Sequence, residues 1–207
     1  GQEASRIAVF TFMEEMRRAL RPEMTPEQLQ EISSRAVALA NHAVREAAAA
    51  SEERRNMGTT LVSAVSYAGG AVLTNVGDSR AYHITPEGIT RVTKDHSLVE
   101  SMVDRGDITE EEARRHPNRN LITRALGPDI SSDCDGYICP MAPGDYLLLC
   151  TDGLTNMVAD DDIAQVLREV PFFDATSILV DRALQAGGQD NITVLLMGVE
   201  ATEVNNG

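Results

Sequence analysis

Apolar positions recur at helical spacing from Ala4 to about Leu20, with Ala4, Ile7, Ala8 and Phe12 on one face. A second helix is predicted from Met24-Thr25-Pro26-Glu27, where Thr25 suits the cap and Pro26 the first helical position. Its face carries Leu29, Ile32, Val37 and Val44 and runs into Ala47 to Ala50, with Arg54 and Arg55 placed where a helix C-terminus favours cations. After Gly58 the pattern changes. Thr59 to Tyr67 reads as a strand, Gly69-Gly70 as a turn and Ala71 to Val76 as the partner strand. Ala81 to Ile84 and Ile89 to Val92, joined through Pro86-Glu87-Gly88, extend this to an expected antiparallel meander.

Between Lys94 and Asn120 the strand pattern stops. Leu98, Met102 and Val103 take helical spacing, and Thr109 stands three residues before Glu112 as a capping pair, so an inserted, exposed subdomain is predicted at about 94–120. Strands are expected again near Leu121, over Asp133 to Cys139 and over Tyr146 to Cys150. Helices follow around Asp161 to Glu169 and Phe173 to Gln185, and a last strand covers Asn191 to Val199. Segregated helices and strands of this kind imply an α+β fold with largely antiparallel sheets.

With no low-complexity tract, linker or fixed-period repeat, the 207 residues read as one domain. The hydrophobic share is 43% but aromatics are only 4% and Trp is absent, so the core must be aliphatic. A net charge of −14, from 32 acidic against 18 basic residues, disfavours a nucleic-acid partner. Carboxylates are also the ligands hard divalent cations prefer, so the decisive question is whether any converge. Cys134, Cys139 and Cys150 are odd in number and lack metal-finger spacing, which fits buried thiols in a reducing compartment; the cytoplasm is expected. No apolar run approaches the roughly 18 residues of a membrane span, so no membrane partner is expected.

Three aspartates stand at the ends of apolar strands, each beside small or amide residues that let the chain turn. Asp78 lies in Thr74-Asn75-Val76-Gly77-Asp78-Ser79-Arg80, Asp152 follows Leu147-Leu148-Leu149-Cys150-Thr151, and Asp190 sits in Gly187-Gly188-Gln189-Asp190-Asn191. Carboxylates brought from separate strands to one cleft would hold hydrated Mg²⁺ or Mn²⁺. Taken singly, each also reads as a turn residue or helix cap. His42 and His83 read as structural or exposed, whereas His96 and His116 lie in or beside the inserted subdomain and are substrate-contact candidates. Arg80 and Arg124 read as ion-pairing residues at a sheet edge, with phosphate binding as the alternative.

In order and spacing these motifs resemble the metal-dependent protein phosphatases of the type 2C (PPM) superfamily in their bacterial form. The resemblance runs from Gly1-Gln2-Glu3-Ala4-Ser5 through Gly58-Thr59-Thr60, Val76-Gly77-Asp78-Ser79-Arg80, Thr151-Asp152-Gly153-Leu154 and Asp190-Asn191-Ile192-Thr193. The insert is similar to that family's flap, through Lys94-Asp95-His96-Ser97, Gly106-Asp107-Ile108-Thr109, His116-Pro117 and Asn120-Leu121-Ile122-Thr123-Arg124-Ala125-Leu126-Gly127.

The resemblance implies a two-layer antiparallel β-sandwich flanked by helices, with two core Mn²⁺ or Mg²⁺ ions in a cleft at one end. Asp152 and Asp190 would hold one of them, Asp78 would share a third site with Asp152, and Gly153 and Asn191 would support the turns. Asn156 stands where a further carboxylate is usual. The implied reaction is hydrolysis of phosphoserine and phosphothreonine proteins by a metal-activated bridging water, opposite a cognate Ser/Thr kinase. The family's opening strands and the Asp-Gly-Met-Gly-Gly type turn whose Asp bridges both metals have no counterpart after Gly1, so the first strands are expected to be missing. Self-association through an open sheet edge is expected to follow. The alternative reading is a non-catalytic binding or regulatory module of the same fold.

Overall fold

The structure, a computed structural model, describes residues 1–50, 52–128 and 133–200. Helices α1 (Gln2–Ala19) and α2 (Pro26–Ala49) pack together through Ala4, Ala8, Phe12 and Met16 on one side and Leu29, Ala36, Val37 and Val44 on the other. The predicted cap of α2 forms as a reciprocal pair. Thr25 Oγ1 accepts from Gln28 N–H at 3.3 Å and Gln28 Oε1 accepts from Thr25 N–H at 2.9 Å, worth about 1 kcal/mol.

Strands β1 (Leu61–Tyr67), β2 (Gly70–Val76) and β5 (Asp135–Pro140) form one antiparallel sheet in the order β1-β2-β5. Strands β3 (Arg80–Thr85), β4 (Gly88–Arg91), β6 (Tyr146–Cys150) and β7 (Val194–Gly198) form a second, in the order β4-β3-β6-β7. The predicted single meander is therefore two hairpins in different sheets. The chain leaves the first sheet at Gly77 and enters the second at Arg80.

Strands β2 and β6 are buried on both faces, which is why residues 71–73 and 147–150 read as apolar runs instead of alternating patterns. In β2, Val72 and Val76 face α1 and α2, while Ala71 and Leu73 meet Ala81, Leu147 and Leu149 of the second sheet. In β6, Leu148 and Cys150 turn the other way, onto α6 (Asp160–Glu169) and α7 (Phe172–Gln185) through Ile163, Leu167 and Leu179. Each fully buried Leu stabilises the fold by roughly 2 kcal/mol. The layers are thus helices, sheet, sheet, helices: the expected α+β sandwich.

Between β4 and β5 the chain makes α3 (Leu98–Asp104) and α4 (Glu110–Arg115), the latter capped by the predicted pair, Thr109 Oγ1 accepting from Glu112 N–H and Glu112 Oε2 from Thr109 N–H. Two local expectations are corrected, and one element is new. Leu121 lies in no strand; Leu98 N–H donates to its carbonyl, and isolated bridges, Ser97 with Ile122 and Thr59 with Leu126, help tie this segment down. Arg54 and Arg55 fall beyond the end of α2, where Arg54 instead pairs with Glu3 of α1 at 2.9 Å. A one-turn helix α5 (Asp152–Thr155) follows β6 directly, too short to carry a periodic signal.

Strands β1 and β7 each have a single ladder partner among the described residues. Leu195 sits opposite Leu149 and so shares its inward face, yet it is 54% exposed because β7 overhangs the three-stranded sheet. Among the described residues no helix is long and apolar enough to cross a membrane.

Candidate active site

The strand ends bring the acidic residues together. Past β2, Gly77 adopts φ +105°, and a Cβ there would stand 2.3 Å from Thr60 Cγ2, so only glycine fits. The turn is held from all sides. Gly77 N–H donates to His96 Nδ1 at 3.0 Å, its carbonyl accepts from Asn75 Nδ2 and from His96 N–H, and Ser79 Oγ meets Thr60 Oγ1 at 2.8 Å. Asp78 emerges from this turn into a cavity of about 490 Å³.

Asp152 enters the same cavity from the opposing sheet, as the first residue of α5. Its position is coupled to the turn before β7. Thr151 Oγ1 donates to the Asn191 carbonyl at 3.1 Å and accepts from Thr193 N–H at 3.0 Å, and Gly153 is buried directly against the Asn191 backbone. On that turn, Asp190 Oδ1 accepts from Asn191 N–H at 2.7 Å, leaving the carboxylate exposed at the rim; Asp190 does not line the cavity itself.

Burial raises the Asp78 carboxyl from its ordinary 3.8 to about 6, reinforced by the charges of Asp152 and Asp95 and partly offset by Arg80. Burial followed by the Asp190 charge raises Asp152 in the same direction, against the hydrogen bond from Asn156 Nδ2 at 3.1 Å. Asp78, Asp152 and Asp190 thus form an electrostatic chain of like charges, and none of them has an ion-pair partner among the described residues.

Two cations of the cavity, Arg80 and Arg91, and Arg124 behind the Asp78 turn are already spent on other acids. Arg80 grips Asp95 in a bidentate pair, with Nε at 2.9 Å and Nη2 at 2.6 Å, and also reaches Tyr82, whose hydroxyl donates to Asp160 at 3.0 Å. Arg91 pairs with Glu100 at 2.7 Å. Arg124 pairs with Asp135 at 2.8 Å, so both arginines singled out as ion-pairing residues are placed as such.

Neither histidine candidate faces the cavity. His96 is 7% exposed; its Nδ1 accepts from Gly77, so the ring proton sits on Nε2, 3.3 Å from Asp135 Oδ2. Its role here is to hold the Asp78 turn. His116 ends α4 and accepts from Asn118 N–H at 3.1 Å. Sequence reasoning missed the wall contributed by the insert, Glu110, Arg114, Arg119 and Asn120, because exposed charges on a polar helix carry no distinguishing pattern.

Among the described residues no three ligating side chains stand close enough to enclose a metal ion. Repelling, cation-free carboxylates of this kind fit a hydrated hard cation held through one or two oxygens and completed by water, and do not fit an all-protein cage. None of the three cysteines lines the cavity; Cys139 and Cys150 are buried, and burial pushes the Cys150 thiol up to about 12.

A family model described as protein phosphatase 2C matches residues 1–194. The chain belongs to the protein phosphatase 2C family. It is 39% identical over 148 residues to the serine/threonine phosphatase stp of Listeria monocytogenes, covering 71% of this chain and 59% of that protein. To the protein phosphatase PhpP of Streptococcus pneumoniae it is 40% identical over 149 residues, 72% of this chain and 61% of that protein. The chain therefore spans about three fifths of the length of these curated relatives.

The fold of this phosphatase 2C chain superposes on the crystal structure of the Mycobacterium tuberculosis phosphatase PstP/Ppp with a TM-score of 0.86 at 31% identity, over 97% of this chain and 85% of that one. The Staphylococcus aureus phosphatase Stp1 gives 0.84 at 35% identity, over 92% and 76%. A PstP catalytic domain solved in complex with two manganese ions gives 0.84 at 29% identity, over 97% and 82%.

Proposed function

We propose that this protein is a metal-dependent protein serine/threonine phosphatase, a phosphoric monoester hydrolase acting on phosphoserine and phosphothreonine proteins in bacterial signalling, opposite a cognate Ser/Thr kinase. One observation carries the reading: Asp78 and Asp152 arrive from opposing sheets in one cavity, with depressed acidity and no ion-pair partner among the described residues. Such a pair invites a divalent cation. Two Mn²⁺ or Mg²⁺ ions, and a third shared by Asp78 and Asp152, would supply Lewis acidity toward the phosphoryl group and acidify a water.

Asp152 and Asp190 would hold one core ion. Gly153 and the Thr151 hydroxyl keep their two turns in register, and Asn191 N–H fixes the Asp190 carboxylate. The chain is read as one domain, 1–207, of which 201–207 lie outside the described residues, with 94–120 as a flap over the cavity. Three free cysteines support a cytoplasmic location.

A second reading, a non-catalytic binding module, is favoured by the lack of a three-ligand group among the described residues and by Asn156, whose amide occupies an Asp152 oxygen where a further carboxylate would bind metal. Hydrolysis of a chromogenic aryl phosphate separates the two. Turnover requiring Mn²⁺, lost in chelator and on Asp152→Ala, supports the phosphatase; absence of turnover at all Mn²⁺ concentrations supports the module.

A further inference from the structure

Charges around the cavity are sorted by whether they are already paired. Arg80 and Arg91 neutralise Asp95 and Glu100 within the floor. Two guanidiniums on the insert, Arg114 in the last turn of α4 and Arg119 four residues beyond that helix, line the cavity with no ion-pair or hydrogen-bond partner among the described residues. This is unusual locally, since Arg105 pairs with Asp107 and Arg115 turns outward to Glu111 at 3.1 Å. Glu110 stands one helical turn before Arg114 on the same wall and forms no ion pair with it.

The cavity, at about 490 Å³, is of the size that encloses a ligand of many atoms, far more than one phosphoryl group. A smaller cavity of about 270 Å³ adjoins it and shares Arg91, Arg114 and Asp160, so Arg114 stands where the groove continues past the carboxylate floor. Resting on the phosphatase reading above, we propose that Arg114 and Arg119 select substrates by a second anionic group, an Asp or Glu carboxylate flanking the phosphorylated residue. In a chain of net charge −14, an acidic peptide is repelled almost everywhere else. Two free guanidiniums on one wall give it the place to bind, through forked contacts that a carboxylate matches. Asp161 lines the smaller cavity alone and Asp160 stands where the two cavities meet, so an acidic peptide is disfavoured in that direction and its orientation is fixed.

The test reads binding, not turnover. Fluorescence anisotropy would follow the 207-residue protein in chelator with labelled phosphothreonine peptides that differ only in acidic, neutral or basic flanks. Wild type is expected to bind the acidic-flanked peptide about tenfold tighter than the neutral one at low salt, with the preference shrinking as salt rises. Arg114→Ala with Arg119→Ala should erase the preference, and Arg114→Glu with Arg119→Glu should reverse it toward the basic-flanked peptide. A preference that survives charge reversal, no difference between flanks in wild type, or no peptide binding at all overturns the proposal. Aryl phosphate turnover by wild type with Mn²⁺ is measured beside it, so flank selection without turnover counts against the phosphatase reading alone.

Discussion

Gly153 is where the two acidic turns touch, and replacing it tests whether their registry is what makes the site. A Cβ at this position would stand 2.3 Å from the Asn191 carbonyl oxygen and 2.9 Å from its carbonyl carbon. Both are backbone atoms, so no side-chain rotation relieves the overlap. Ordinary contact begins at 3.4 Å, so Gly153→Ala must drive the Asp152 and Asp190 turns apart by 3.4 − 2.3 = 1.1 Å. Resisting this are the two hydrogen bonds of the Thr151 hydroxyl, at 3.1 and 3.0 Å. Overpacking of this kind costs about 1–3 kcal/mol, and each of the two strained hydrogen bonds adds up to about 1 kcal/mol, giving an expected loss of about 1–5 kcal/mol. A displacement near 1 Å costs a positioned reaction on the order of 100-fold. Urea denaturation would read the first effect, and aryl phosphate turnover together with the rise in Tm on adding Mn²⁺ would read the second. A variant within about 0.5 kcal/mol of wild type that keeps its full Mn²⁺ response would refute the registry argument, because the turns would then tolerate separation.

Three further outcomes are expected. Asp78 has a folded pKa of about 6 against an ordinary 3.8, so its ionisation opposes folding as pH rises through that window. In chelator, Asp78→Asn should therefore stabilise the protein by up to about 3 kcal/mol above pH 6, the gain shrinking toward zero near pH 4; urea titrations across this range check it, and an equal effect at both ends rejects it. His96→Ala orphans the buried Gly77 N–H and should cost about 1–3 kcal/mol in thermal or urea unfolding; unchanged stability with lost turnover would instead assign His96 a chemical role. The open edges of β1 and β7 and the overhanging Leu195 predict concentration-dependent self-association, read by light scattering, which Leu195→Lys should suppress.

Much of this protein was legible along the chain. The 3.6-residue spacing of Ala4, Ala8 and Phe12, the Thr25 and Thr109 caps, and the apolar runs of β2 and β6 each act over a few residues, where propensity and hydrogen bonding are local. The positions of Asp78, Asp152 and Asp190 were also visible, since strand ends followed by small residues mark themselves. Tertiary structure alone decided the rest. A hairpin signal does not say which sheet it joins, and the break at Gly77 that sends β2 and β3 into different sheets depends on Thr60 and His96, 17 residues before and 19 residues after it. His96 reads as a free imidazole until its Nδ1 is seen accepting from a buried backbone. Which arginines are spent and which are free is equally non-local: Arg80 finds Asp95, Arg124 finds Asp135, and Arg114 and Arg119 find no partner among the described residues, because pairing depends on distances that only packing sets.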